Sequence, residues 1–71
     1  MGNMNINVFI DKENKDISLV LENDSKVKDI LKKLKINPVT VIVSRNNELI
    51  MEDEKLNNND QIRILSVISG G

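Results

Sequence analysis

The chain has 71 residues, no cysteine and no histidine, and its ten Lys and Arg nearly balance eleven Asp and Glu, giving a formal net charge of −1. This length forms one small domain, near the lower limit for a single hydrophobic core. Without cysteine there are no disulfides. Without His and Cys, the chain lacks the usual transition-metal ligands, the commonest general base and the best nucleophile. We therefore expect no metal site, no bound cofactor and no self-sufficient enzyme.

The same composition argues against nucleic acids and membranes as binding partners. Near-neutral charge and a single aromatic residue, Phe9, disfavour nucleic-acid binding. No apolar run approaches the length of a membrane span, and the N-terminus lacks a signal-peptide pattern. The expected protein is cytoplasmic, binds neither nucleic acid nor membrane, and is a monomer when free.

The first third of the chain predicts a β-hairpin. Residues 4–10 alternate apolar and polar side chains, residues 11–15 are a polar turn, and residues 16–22 alternate again. Two segments of period two joined by a short polar loop are typical of paired strands. Residues 1–3 precede this pattern and are expected to be an N-terminal extension, so the domain is expected to cover residues 4–67.

After Asn23 the apolar period changes to that of a helix. Val27, Ile30, Leu31 and Leu34 fall at i, i+3, i+4 and i+7 and form one apolar stripe. We expect Asp24 or Ser25 to cap the helix, lysines to complement the dipole at its C-terminal end, and Pro38 to stop it.

The second half of the chain predicts further strands. The β-branched run 39–44 favours a strand with both faces covered, and Arg45-Asn46-Asn47 turns the chain into a short edge strand at 48–50. The acidic segment 52–54 is expected to be a solvated loop rather than a steering surface, with Leu56 tucked beneath it. A last strand is predicted from Gln61 to about Val67.

These elements predict an α+β fold with a mixed sheet of four or five strands and one helix on one face. Its core is expected to be aliphatic and to comprise Ile6, Val8, Ile17, Leu19, Val27, Ile30, Leu31, Leu34, Val41, Val43, Leu56, Ile62 and Ile64.

Glycine is used unusually. Two of the three glycines are the last two residues, whereas the turns at 46–47 and 57–60 are built from Asn and Asp, which also enter tight turns at low cost. A chain that bends with Asn and ends in Gly-Gly is expected to use those glycines for something other than bending.

Three segments resemble a known family. The ending 67–71, Val-Ile-Ser-Gly-Gly, is similar to the Val-Ile-Ala-Gly-Gly endings of ThiS proteins. Asn59-Asp60-Gln61-Ile62 resembles the entry to the family's final strand, with Asn in place of Gly, and 37–43 resembles the third strand of related archaeal small modifier proteins. The chain thus resembles the ThiS and MoaD sulfur carriers, which implies the ubiquitin-like β-grasp fold.

The resemblance implies a reactive C-terminus at Gly71. An E1-like adenylyltransferase, using ATP and Mg, would attach AMP to the Gly71 carboxylate. A sulfur donor (a sulfurtransferase or sulfide) would then convert it to a thiocarboxylate, and a biosynthetic enzyme for thiamine, molybdopterin or thiolated tRNA would accept the sulfur. In residues 68–71, expected to be a flexible tail, the terminal glycines leave the carbonyl open to attack. Gly70, Ser69, Ile68 and Val67 would present Gly71.

Two further points remain open at this level. Outward Ile42 and Leu65 are expected to lie near each other as a partner-docking patch, or else to be isolated exposed aliphatics. The same activated tail also fits a protein modifier that conjugates Gly71 to lysines of target proteins. A non-catalytic β-grasp interaction module is the remaining alternative.

Overall fold

The computed structural model describes residues 2–67 as one mixed sheet with a single helix. Its elements are β1 (Asn3–Ile10), β2 (Lys15–Glu22), α1 (Val27–Leu34), β3 (Val41–Arg45), β4 (Glu48–Ile50) and β5 (Gln61–Ser66), with short 3₁₀ turns at Asp11–Glu13 and Pro38–Thr40. The strand order is β2-β1-β5-β3-β4, and only the central β1–β5 pair is parallel. The predicted α+β architecture with a five-stranded mixed sheet is confirmed.

The β1–β2 hairpin follows the sequence pattern closely. Asn14 closes the turn in the left-handed region at φ 51°. β1 begins at Asn3, one residue earlier than expected, and the Gly2 carbonyl accepts a hydrogen bond of 3.0 Å from the Asn23 backbone N–H. Residues 2 and 3 of the expected extension therefore pair with the end of the hairpin.

The core lies between the inner face of the sheet and α1. Every member of the predicted core set is buried or packs half-buried against the core. Met4, Ile10 and Leu21 are also buried, because the alternation of β1 and β2 continues to the ends of both strands. The inner face of β1 is thus apolar along its whole length.

Both predicted ends of the helix need correction. Lys26, rather than Asp24 or Ser25, is the N-cap, and its backbone N–H donates to the Asp29 carboxylate at 2.8 Å. The helix ends at Leu34, before Pro38, because Lys35 enters the left-handed region at φ 59° and its N–H closes the last turn. No helix within residues 2–67 is long and apolar enough to cross a membrane.

β3 also differs from its prediction. Pro38–Thr40 forms a 3₁₀ turn, so the strand starts at Val41 rather than residue 39. The prediction that both faces are largely covered holds only in part, since on the face away from α1 Ser44 is buried but Ile42 keeps 37% of its surface exposed. The β-branched run therefore reflects strand propensity as well as burial.

The loop between β4 and β5 is fixed by one arginine. The Arg45 guanidinium donates to the Lys55 carbonyl at 2.9 Å and pairs with Asp60 at 3.3 Å and Glu54 at 3.2 Å. This network holds the loop over the core, and Leu56 is buried beneath it as predicted.

The acidic segment 52–54 lies beside the first turn of α1. The backbone carbonyls of Glu54 and Glu52 accept hydrogen bonds of 3.0 Å from the N–H groups of Val27 and Lys28. The first turn of a helix leaves such N–H groups without intrahelical partners, and negative charge there is favourable. The segment is exposed, as expected, and it also completes the helix N-terminus.

Candidate functional site

β5 is the central strand and carries the chain toward its C-terminus. It pairs in parallel with β1 and antiparallel with β3. Ile62 and Ile64 are buried on the inner face, whereas Arg63 and Leu65 lie on the outer face, as the alternation predicts. A strand held on both sides provides a rigid base for whatever follows it.

The end of β5 is anchored to the turn that precedes β3. The Val67 N–H donates to the Thr40 carbonyl at 3.1 Å, one residue beyond the last strand residue. Thr40 is fixed in turn by Asn37, whose carbonyl accepts from the Thr40 hydroxyl at 2.8 Å and from its backbone N–H at 3.1 Å. The side chain of Asn37 caps the same turn through the Val39 N–H at 3.0 Å. The point where the chain leaves the sheet is therefore fixed.

Of the predicted tail residues, the structure places Val67, which is exposed at this anchor. Ile68, Ser69, Gly70 and Gly71 lie outside the described residues. The tail assignments, including the reactive role of Gly71, therefore stay predictions.

The two residues of the predicted docking patch are neighbours. Ile42 on β3 and Leu65 on β5 are direct cross-strand partners on the outer face. Such partners have Cβ atoms about 5 Å apart and form one continuous surface. Ile42 is exposed and Leu65 is half-buried.

Other exposed aliphatic side chains occur near this pair. Among residues 2–67, six large hydrophobic side chains are exposed. Five of them lie on or beside β3 and β4 or just after β5: Val39, Ile42, Leu49, Met51 and Val67. Grouping on one side of the sheet is characteristic of an interaction surface, since singly scattered exposed aliphatics need no explanation. We call the pair Ile42 and Leu65 the outer apolar patch.

A polar depression of about 640 Å³ lies on the outer face near the start of β5. The Arg63 guanidinium lies 5.1 Å from the centre of the Phe9 ring there and bonds to Asp11 at 3.4 Å. Among residues 2–67, no three carboxylates are grouped as a metal site would require. This depression is at the opposite end of β5 from Val67.

Sequence reasoning missed the residues that anchor the end of β5. Asn37 and Thr40 looked like the beginning of a strand, and their contact with Val67 joins segments 27 residues apart. The Asn-Pro pair was a usable signal for a turn, because Asn caps short helical turns and Pro favours their first position.

The fold defines a class of protein. A mixed sheet of order β2-β1-β5-β3-β4, crossed by one helix and ending in a central strand, is a ubiquitin-like β-grasp domain. A designed protein based on ubiquitin superposes with a TM-score of 0.77 at 17% identity, over 97% of this chain and 94% of the other. A ubiquitin from Caldiarchaeum subterraneum gives 0.74 at 15% identity, over 99% and 100%. At these identities the likeness establishes the fold alone.

The sequence establishes the family. The chain belongs to the ThiS family, whose model matches residues 6–71. It is also 30% identical over 59 residues to the sulfur carrier protein TtuB of Thermus thermophilus, a match covering 83% of this chain and 88% of that protein. The predicted kinship with ThiS-type sulfur carriers is thereby confirmed.

Proposed function

We propose that this sulfur carrier works through the Gly71 carboxylate, which a partner adenylyltransferase activates and a sulfur donor converts to a thiocarboxylate. The observation that carries the proposal is the family match, which continues through the last strand to Gly71. The fixed end of β5 supports it, because the hydrogen bond from Val67 to Thr40 holds the base of the tail in one place.

The chemistry requires activation because a carboxylate is a poor electrophile. Attack of the Gly71 carboxylate on ATP forms an acyl adenylate and releases pyrophosphate. Hydrosulfide then adds to the acyl carbon and AMP leaves, so that sulfur replaces one carboxylate oxygen. A persulfide on a sulfurtransferase would first form an acyl disulfide, which a second thiol of the donor cleaves to release the thiocarboxylate and leave a disulfide on the donor. ATP and Mg are used by the partner, and this chain binds no cofactor in the scheme. The described residues contribute a rigid platform and a docking surface.

The outer apolar patch is the proposed docking surface for the adenylyltransferase. Ile42 and Leu65 are adjacent on the outer face, and Leu65, near the end of β5, lies two residues before Val67 in the sequence. A partner seated on the patch therefore also meets the base of the tail. Four extended residues, 68–71, reach roughly 13 Å beyond it. Docking and insertion of the tail can thus occur in one encounter.

Sulfur would then pass to a biosynthetic enzyme for thiamine, molybdopterin or thiolated tRNA. Mass spectrometry of the protein isolated from its native cell tests the carrier chemistry directly. We expect the C-terminal peptide to show the mass increase of one sulfur replacing one oxygen. Gly-Gly remnants on lysines of other proteins, without that increase, would instead identify a protein modifier.

Deletion of Gly71 tests the reactive position. We expect thermal stability to change by less than about 0.5 kcal/mol, because every buried core residue lies between Met4 and Ile64 in the sequence. ATP–pyrophosphate exchange catalysed by the partner adenylyltransferase should be lost. Substitution of the exposed residue Asn3 by Ser, near the other end of the chain, serves as the control and should leave exchange unchanged. An undiminished exchange rate without Gly71 would overturn the proposal.

A further inference from the structure

The sheet has two edges of very different character. β4 ends one side with only three residues, whereas β2 ends the other with eight. β2 pairs with β1 through eight consecutive residue pairs, from Asn3–Glu22 to Ile10–Lys15, without a bulge. β2 contains no proline. Proteins usually protect an edge by shortening it, bulging it, or placing proline or charged side chains there, and β2 has only the last of these, at Lys15, Asp16 and Glu22 near its two ends.

The register shows which backbone groups the β2 edge leaves free. On β1, the Asn7 N–H donates to the Asp60 carbonyl, and the Asn5 carbonyl accepts from the Asn59 N–H. These two residues therefore direct their backbone groups away from β2. Their partners across the hairpin are Ser18 and Val20. In an antiparallel ladder, both members of such a pair point outward.

The free donors and acceptors consequently belong to alternate residues of β2. They are the N–H and C=O groups of Asp16, Ser18 and Val20 and the N–H of Glu22, whose carbonyl accepts a hydrogen bond of 3.2 Å from the Ser25 N–H. Within residues 2–67 no other strand pairs with them. Each free N–H and C=O is directed along the sheet, where an added strand would make the next ladder.

The side chains of the same four residues lie on the outer face and define the chemistry of this edge. Val20 is 57% exposed and Ser18 is its neighbour, while Asp16 and Glu22 flank them at the two ends. Within the described chain neither carboxylate forms an ion pair. The edge thus presents an aliphatic and hydroxyl centre between two negative charges.

A second copy of this chain does not complement that pattern. Antiparallel self-pairing centred on Leu19 sets Asp16 against Glu22 of the other copy at both ends. Self-pairing centred on Ser18 sets Asp16 against Val20. Neither register places a cation opposite a carboxylate on the outer face, and like charges directly opposed are destabilising.

We propose that the free edge of β2 accepts an extended segment of a partner protein as a sixth strand. Charge complementarity requires basic side chains six residues apart in that segment, opposite Asp16 and Glu22. Small β-branched side chains fit between them, opposite Ser18 and Val20. This surface lies at the far side of the sheet from the outer apolar patch and does not involve Gly71, so it leaves the proposed tail chemistry unobstructed.

The probe is a capped synthetic peptide of sequence KTVTVTK, with ETVTVTE as the charge-reversed control. In a titration of the ¹⁵N-labelled full chain, we expect KTVTVTK to shift the amide resonances of residues 15–22. Hydrogen exchange of the Ser18 and Val20 amides should slow as the peptide saturates. Because association is favoured by opposite charge, ETVTVTE should bind at least about tenfold more weakly.

Val20→Pro tests the backbone contact. It removes a free-edge donor but no hydrogen bond within the sheet, and proline is tolerated at such positions. We expect peptide affinity to fall about fivefold or more, the effect of losing one hydrogen bond. Val20→Thr keeps the N–H and should bind within about twofold of the original chain. Dispersion of the Val20→Pro amide spectrum verifies that the variant is folded.

Three outcomes would overturn the proposal. One is equal binding of both peptides. Another is a result in which the peptide shifts the amide resonances of the lysines in α1 but does not slow hydrogen exchange of the Ser18 and Val20 amides. The third is a dimer, measured by sedimentation, with these amides already protected before peptide is added, which would assign the edge to a second copy. Activation of Gly71 is measured separately, so loss of either function is distinguished from loss of the other.

Discussion

The two faces of the sheet differ in almost every physical property. The inner face packs aliphatic side chains against α1, and the outer face carries amides, charges and exposed aliphatics. Two arginines illustrate the contrast. Arg45 belongs to the inner side, is 19% exposed and bonds to three residues, whereas Arg63 on the outer side is 51% exposed and pairs with Asp11 alone. Stability is therefore concentrated on one face, which leaves the other free for recognition.

Among the substitutions that test this difference between the faces, Leu31→Ala should have the largest effect on stability. Leu31 is buried where α1 meets the sheet, so truncation leaves a cavity and should lower the free energy of unfolding by about 2–5 kcal/mol. Urea denaturation measures it. A midpoint equal to that of the original chain would mean that α1 does not contribute this side chain to the core.

A smaller effect is expected from Arg45→Met. It removes a partly shielded guanidinium from the loop that holds Leu56, and we expect a loss of about 1–2 kcal/mol. Arg63→Met is the matched control on the outer face. Its half-exposed ion pair and its position over Phe9 should contribute about 1 kcal/mol or less. Equal losses for the two variants would contradict the difference between the faces.

The smallest effect on stability is expected from Ile42→Ser, at about 1 kcal/mol or less, because the side chain is only partly buried. The same substitution should lower kcat/KM for adenylation of Gly71 about tenfold, the effect of losing one apolar anchor at an interface. Val20→Ser is the control, since it removes an exposed aliphatic from the opposite edge of the same face. If both variants are activated equally well, the outer apolar patch is not the docking surface.

The elements themselves follow from local patterns. The alternation in β1 and β2, the helical stripe from Val27 to Leu34 and the short β4 all occur where the sequence predicts them. Positive φ at Asn14, Asn46, Asn47 and Asn59 confirms that Asn supplies the turns. Such features depend on neighbours a few residues apart, which a sequence pattern records directly.

The expectations that failed involve contacts between distant segments. α1 begins at Val27 because carbonyls of Glu52 and Glu54 accept hydrogen bonds from its first N–H groups, which makes a cap by Asp24 or Ser25 unnecessary. β3 begins at Val41 because Asn37 nucleates a turn that also receives Val67. Local propensity favours the turn at Pro38–Thr40, but it does not encode the long-range contacts of that turn with Val67 or of α1 with residues 52–54.

The sequence by itself determined the fold class, the aliphatic core and the kinship suggested by residues 67–71, because periodicity and side-chain type act over short distances. Only the tertiary structure decided where the outer apolar patch lies, how Thr40 anchors the end of β5 and which backbone groups of β2 remain free. Each of these depends on register between strands far apart in the chain, and a shift of one residue would exchange the two faces.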